Sequence, residues 1–237
     1  MNRRAAGLTS VRGLSYIEPL APVVFPEEAV VPETQLHLEL RTLLYQLLSD
    51  YLGLETTVGS DQFVYFDAAD PAQCVAPDVY VRLEPRGEPI RSWKTWERGA
   101  PEVAVEIISE SDATEIAWAQ KLAAYRRLGV CELVRFDPEQ SDKGRLRIWD
   151  RVEEALVERA LSSGFNPSSV LNLHWVIAPA ENLQVVLRIA DANQTLVPTR
   201  IEARQAEAEA RQAEAEARQA AEIRIQELEA QLKLTRR

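Results

Sequence analysis

The apolar positions along this chain change period several times, and each change marks an element. Leu36, Leu40, Leu43, Leu44, Leu47, Leu48 and Tyr51 recur at helical steps, which predicts a helix over 33–51. Pro32 stands just before that stretch and Gly53 just after it, as helix starts and stops allow. Short apolar runs predict strands over 55–58, 62–66, 79–83 and 103–108, with 67–76 as loop. A second helix is expected over 115–128, with Trp118, Leu122, Tyr125 and Leu128 as its apolar stripe. Gly129 stops it, and a strand over 132–136 ends at Asp137-Pro138. Further strands are expected over 146–150, 155–159 and 183–189, with 168–175 as a short helix or turn. A helix crossing between two strands points to an α/β fold with a mixed β-sheet flanked by helices, not a sandwich.

Three polar residues interrupt this pattern. The run Val103-Ala104-Val105-Glu106-Ile107-Ile108 is apolar on both faces, as a central strand is, and Glu106 lies inside it. Glutamate is almost never fully buried unless it is paired or holds a metal. Asp78 follows Pro77 and opens the strand Val79-Tyr80-Val81-Arg82-Leu83. Lys121 lies three residues after Trp118 and four before Tyr125, so it points into the apolar stripe of its helix. An Asp, a Glu and a Lys converging in an apolar setting form the constellation of a metal-dependent phosphodiesterase.

Composition narrows the setting. The 237 residues suit one domain plus an appendage, and 46% hydrophobic content supports a real core. No apolar run is long enough to span a membrane. The first 17 residues hold three arginines and no acid, but no apolar signal core follows, so residues 1–25 read as an irregular leader. Cys74 and Cys131 stand alone, without metal-type spacing, which fits a reducing cytoplasm. The net charge is −10, and the stretch from Arg200 onward carries eight cations and eight acids, so the whole negative excess lies before it. Any contact with DNA must therefore use local basic patches.

The tail over 199–237 has its own pattern. The heptad Arg-Gln-Ala-Glu-Ala-Glu-Ala occurs at 204–210 and 211–217, and a third copy starts at Arg218. Ala206, Ala210, Ala213, Ala217, Ala221, Ile225, Leu228 and Leu232 form a seam with a stutter near Ala221. This predicts one long helix, of roughly 55 Å at 1.5 Å per residue. It is either a solvated helix held by Glu/Arg pairs or a coiled coil that makes a homodimer, with the Ile/Leu end carrying most of the contact.

Phosphodiester hydrolysis needs a bound Mg²⁺ or Mn²⁺, an activated water and a group that neutralises developing charge. Asp78 and Glu106 would supply hard oxygen ligands, with the backbone carbonyl of Ile107 as a third. Lys121 would orient or deprotonate the water, or stabilise the phosphorane. The rival reading is a buried Glu106–Lys121 ion pair, which gains little stability and leaves Asp78 unexplained. His37 lies at the edge of the first helix's apolar face, and Glu33 one turn before it; both are candidate helpers, Glu33 ahead of Glu39. His174 has no partner in the sequence and is assigned no role.

Pro77-Asp78, Glu106-Ile107-Ile108-Ser109, Lys121-Leu122-x-x-Tyr125 and the stretch from Leu128-Gly129 to Phe136-Asp137-Pro138 resemble the Uma-two family of restriction-endonuclease-like proteins. Ala76-Pro77-Asp78-Val79, Trp93-Lys94-x-Trp96-Glu97 and Pro32-Glu33-Thr34-x-x-His37 resemble one of its subgroups, and the likeness covers roughly residues 26–195. It implies the PD-(D/E)XK nuclease superfamily, a restriction-endonuclease-like fold, a divalent metal and a DNA substrate. Asp78 and Glu106 match the two acidic positions. The simple superfamily pattern has a Lys two residues after the Glu, where this chain has Ile108; the family supplies it from the next helix, and Lys121 matches. Ala117 stands where the family usually has an Asp. The expectation is a Mg²⁺-dependent DNA endonuclease; the alternative is a nuclease-fold interaction protein working through its coiled coil.

Overall fold

The computed structural model describes residues 8–11, 14–17, 24–26, 34–109 and 114–235. Two short strands, β1 (Leu8–Val11) and β2 (Leu14–Ile17), pair antiparallel inside the leader expected to be irregular. Their Val, Thr, Tyr and Ile favour extended backbone, but runs of four residues are too short to show a period. Helix α1 (Gln35–Leu52) starts where Thr34 Oγ1 accepts the His37 N–H at 3.2 Å and ends at Gly53. Leu40, Leu43, Leu44, Leu47 and Leu48 are its buried face. Leu36, expected in that stripe, lies in the first turn and is 41% exposed.

The chain then runs through β3 (Thr57–Gly59), β4 (Val64–Tyr65), β5 (Cys74–Val75), β6 (Val79–Arg82), β7 (Trp93–Lys94), α2 (Thr95–Arg98), β8 (Val103–Ile107), α3 (Glu115–Leu128) and β9 (Glu132–Phe136). It continues through α4 (Asp142–Arg145), β10 (Leu146–Val152), β11 (Ala155–Glu158), β12 (Asn166–Pro167), β13 (His174–Ala180), β14 (Leu183–Ala190) and α5 (Arg200–Thr235). Six strands form the central sheet in the order β11-β10-β9-β8-β6-β3. Only β8 and β9 are parallel, with α3 as the crossover between them, and the other ladders of this sheet are antiparallel. The fold is therefore α/β with a mixed sheet, as the helix between two apolar strands predicts.

Alternation along β8 sorts the interior into two cores. Val103, Val105 and Ile107 face the α1 side, together with Leu173, Trp175, Leu187 and Ile189 from the β12-β13-β14 sheet and its entry. Ala104 and Ile108 face the other side, with Trp118, Tyr125 and Leu128 of α3 and Val64 and Trp93 of the small β5-β4-β7 sheet. Glu106 belongs by period to this second face. Two glycines permit the packing. Gly129 takes φ +98 to end α3, and a Cβ on Gly59 would meet the Tyr80 ring at 2.1 Å.

Residues 168–173 run as turn, as expected, and strand β13 takes over at His174, so only the last two residues of the stretch expected as helix or turn are extended. Pro179 lies within β13 at a bulge where the β13–β14 register shifts between Ala178 and Ala180, as a proline in a strand requires. Strand β5 likewise falls within a segment read as loop. Helix α5 is a single helix of 36 residues. Thr199 and Glu202 cap its start reciprocally: Glu202 Oε2 accepts the Thr199 N–H at 2.8 Å, and Thr199 Oγ1 accepts the Glu202 N–H at 3.2 Å. Glu202 also takes both terminal nitrogens of the buried Arg188, and Arg200 pairs with Asp50 at the end of α1. Beyond this anchor, Ile223, Ile225 and Leu228 are exposed; the Leu232 side chain lies outside the described residues. Among the described residues no helix is long and apolar enough to cross a membrane.

Candidate functional site

The strand register brings the two acids together. Val79 of β6 stands opposite Val105 of β8. One further step in that register sets Asp78 opposite Glu106, and such pairs share a face with Cβ atoms about 4.5–5.5 Å apart. The Asp78 carboxylate takes the next backbone donor of β8: Oδ2 accepts the Ile107 N–H at 2.7 Å. Its Oδ1 is 2.7 Å from His37 Nε2, and Ser60 Oγ donates to the Asp78 carbonyl at 2.7 Å. His37 is placed by the first turn of α1, where the Thr34 cap holds its N–H.

Glu106 is held from α3. Lys121 Nζ donates to Oε2 at 2.8 Å, and the Tyr125 hydroxyl donates to Oε1. Lys121 and Tyr125 are one turn apart, so one helix face presents both. The N-cap Thr114 sets that helix by accepting the Ala117 N–H at 3.2 Å, so Ala117 adds no side-chain polar group here. Glu106 is only 2% exposed, whereas the Lys121 side chain is 31% exposed, so the cluster opens to solvent on the lysine side. Burial pushes the Glu106 carboxyl up to about 7; Lys121 and the Tyr125 hydrogen bond pull it down, while the neighbouring Asp78 charge pushes it further up.

Asp78, Glu106, Lys121 and His37 thus form one cluster, as the sequence pattern suggests. Glu33 lies outside the described residues. Glu39 accepts from Gln35 at 2.8 Å within α1, and His174 Nδ1 meets the Asp191 carbonyl at 3.0 Å just past β14; neither contact reaches the cluster. Sequence reading took Tyr125 as a stripe residue and missed its hydroxyl, although its position four residues after Lys121 could have shown it. Ser60 gave no signal, because its contact depends on the strand register.

Two clustered carboxylates offer hard oxygens of the kind that suit Mg²⁺ or Mn²⁺. Each of the four oxygens takes one hydrogen bond, which leaves a further lone pair on each. Among the described residues there is no group of three His, Cys, Asp or Glu suited to a metal, so backbone carbonyls and water would have to complete the shell. The residues fit such an ion on one further ground. A carboxylate that resists ionisation beside a second carboxylate is relieved by a cation.

A buried glutamate, a partly buried aspartate and a lysine, placed on a mixed sheet with a crossover helix, make up the candidate site of this α/β protein. Over residues 26–185 the chain matches the sequence model of the Uma2 family, described as "Putative restriction endonuclease", and the chain belongs to that family. Among solved structures it is similar to a putative nuclease of the DUF820 group from Anabaena variabilis ATCC 29413. That likeness has 13% identity, 67% of this chain and 79% of the other covered, and a TM-score of 0.39. No curated protein matches the chain.

Proposed function

We propose that this protein is a divalent-metal-dependent DNA endonuclease that hydrolyses phosphodiester bonds. The observation that carries this reading is Glu106: a buried carboxylate, hard to ionise, facing Asp78 and linked to a lysine that reaches solvent. Asp78, Glu106 and the Ile107 carbonyl would hold Mg²⁺ or Mn²⁺. When bound, the cation supplies a lowered pKa for water and neutralises charge on the phosphate. Tyr125 fixes the rotamer of Glu106, and His37 fixes Asp78; Glu33, outside the described residues, stays a candidate helper from its place in the sequence. Lys121 Nζ can turn from Glu106 toward the open side, where it orients the attacking water and stabilises the charge that develops on the phosphoryl oxygens.

Helix α5 would join two copies through Ala217, Ala221, Ile225, Leu228 and Leu232, so that two sites act on one DNA molecule. Cys74 and Cys131 are free thiols, which suits a reducing cytoplasm. One observation favours a second reading, a nuclease fold kept as an interaction platform: Glu106 and Lys121 already satisfy each other at 2.8 Å. Incubating supercoiled plasmid with the protein separates the two readings. The nuclease reading expects nicking with Mg²⁺ or Mn²⁺, none with EDTA, and none from Lys121→Ala. Nicking that survives EDTA, or that Lys121→Ala retains in full, refutes it.

A further inference from the structure

A cleft of about 660 Å³ opens beside the carboxylate pair. It is lined by Arg41 and Tyr45 of α1, by Gly59 with Tyr80, and by Arg86, Glu88 and Arg98. The cleft is joined to the site by direct contacts. Ser60, on its rim, donates to the Asp78 carbonyl and accepts from Arg41 Nη1 at 3.2 Å. Arg41 lies one turn beyond His37 on α1, so the residue that holds Asp78 and the arginine at the mouth of the cleft project from one helix face.

Charge inside the cleft runs against the net charge of the protein. The lining acid Glu84 pairs with Arg82, and Glu97 pairs with Lys94 at 3.6 Å. Arg41 is shared between Ser60 and Asp61. Arg86 and Arg98 have no carboxylate partner among the described residues; Arg98 lies over the Trp93 ring at 5.8 Å. Glu88 is the lining acid that no cation pairs among the described residues, so with Arg41 set against Asp61 the two arginines Arg86 and Arg98 outweigh it. In a chain of net charge −10, this is a local basic patch of the kind a polyanion needs.

The dimensions select the form of the polyanion. A sphere of about 660 Å³ is about 11 Å across, less than even the roughly 12 Å major groove of a B-form duplex. A volume of this size suits one or two nucleotides of a single strand better than a whole duplex, with phosphates on the arginines and a base against Tyr45. We propose that this cleft is a subsite for a single-stranded segment of DNA next to the bond that is cut. The inference rests on the nuclease reading and adds the substrate class: single-stranded DNA, or a duplex with a single-stranded extension, over blunt duplex.

The test is fluorescence anisotropy of a labelled single-stranded oligonucleotide and a blunt hairpin duplex, with the full-length protein in EDTA across a salt series. The expected result is at least tenfold tighter binding of the single strand. The Arg86→Ala/Arg98→Ala double variant should bind it at least tenfold more weakly, with a salt slope shallower by about 1.4, roughly 0.7 for each lost phosphate contact. Glu88→Lys, in the same cleft, should bind it more tightly. A double variant that binds like the wild type, or a wild type that holds blunt duplex equally well, overturns the subsite. Cleavage with Mg²⁺ is scored separately. Arginine-dependent binding by a protein that never cuts keeps the subsite and removes the nuclease reading. Cutting that ignores both arginines keeps the nuclease reading and removes the subsite.

Discussion

Glu106 and Glu132 lie on the adjacent parallel strands β8 and β9 and are exposed by only 2% and 0%. Glu132 is enclosed by donors: Arg159 Nη2 at 2.9 Å, Trp175 Nε1 at 2.8 Å, Ser168 Oγ at 2.8 Å, and the Ser169 N–H and Oγ at 2.6 and 3.0 Å. It ties β9 to β11, to β13 and to the turn before β13. Glu106 has two donors, Lys121 and Tyr125, and faces a second carboxylate, so burial dominates and its carboxyl stays hard to ionise. A buried acid is therefore not by itself a reactive one. The difference lies in how completely the fold satisfies it, and an under-satisfied acid that opens toward solvent is the candidate for chemistry.

The largest expected effect separates the two glutamates by readout. Glu106→Gln should lower plasmid nicking by at least about 10²-fold while the melting temperature holds or rises, because a charge that is costly to bury is gone. Glu132→Gln should do the opposite, costing about 3–5 kcal/mol by leaving Arg159 and the serine donors poorly matched, with nicking retained in the folded fraction. Thermal melts and nicking assays on both variants check this. Loss of folding in both, or of activity in both at equal stability, would erase the distinction.

A pH series sharpens it. The folded carboxyl of Glu106 titrates near 7, above its ordinary value of 4.5. Its contribution to stability is therefore fully present below about 4.5 and is lost as pH rises through about 7. The melting temperature of Glu106→Gln should gain on the wild type across that window, and a pH-independent gap would contradict the shift. Tyr125→Phe should act more weakly, by about 1 kcal/mol. It removes one donor to the carboxylate, so the pH at which nicking reaches half its maximum should rise; an unchanged midpoint means that the hydroxyl does not reach the charge.

The smallest effect on the domain is expected at α5. A chain ending at Ala206 keeps the Glu202–Arg188 and Arg200–Asp50 anchors and loses the seam. It should melt close to the full chain but sediment as a monomer where the full chain is a dimer. Equal sedimentation as monomers makes α5 a solvated spacer.

The site was legible where its partners were close in sequence and periodic. Lys121 lies 15 residues from Glu106 on an amphipathic helix, so the break in the apolar stripe exposed the pair. Asp78 was visible as the acid at a strand start, though its place opposite Glu106 depends on a register that single residues do not reveal. The donors to Glu132 come from 27 to 43 residues away, on short strands and a turn, so nothing local marked that glutamate as structural. Strand β13 carries Pro179 at a bulge where its register on β14 shifts, so no regular alternation along 174–180 marks it in the sequence. The Thr199/Glu202 cap was readable as a capping box, yet its further hold on Arg188 required the fold.

The most direct test of the account is calorimetric titration of the protein with Mn²⁺ below and above pH 7, for the wild type and Glu106→Gln. Binding by the wild type should strengthen as pH rises through about 7 and release protons, because the carboxyl of Glu106 must ionise to bind the cation. Glu106→Gln should bind at least tenfold more weakly, with no such pH dependence. Equal affinity in the two proteins, or wild-type binding that ignores pH, would contradict the assignment of Glu106 as the reactive carboxylate.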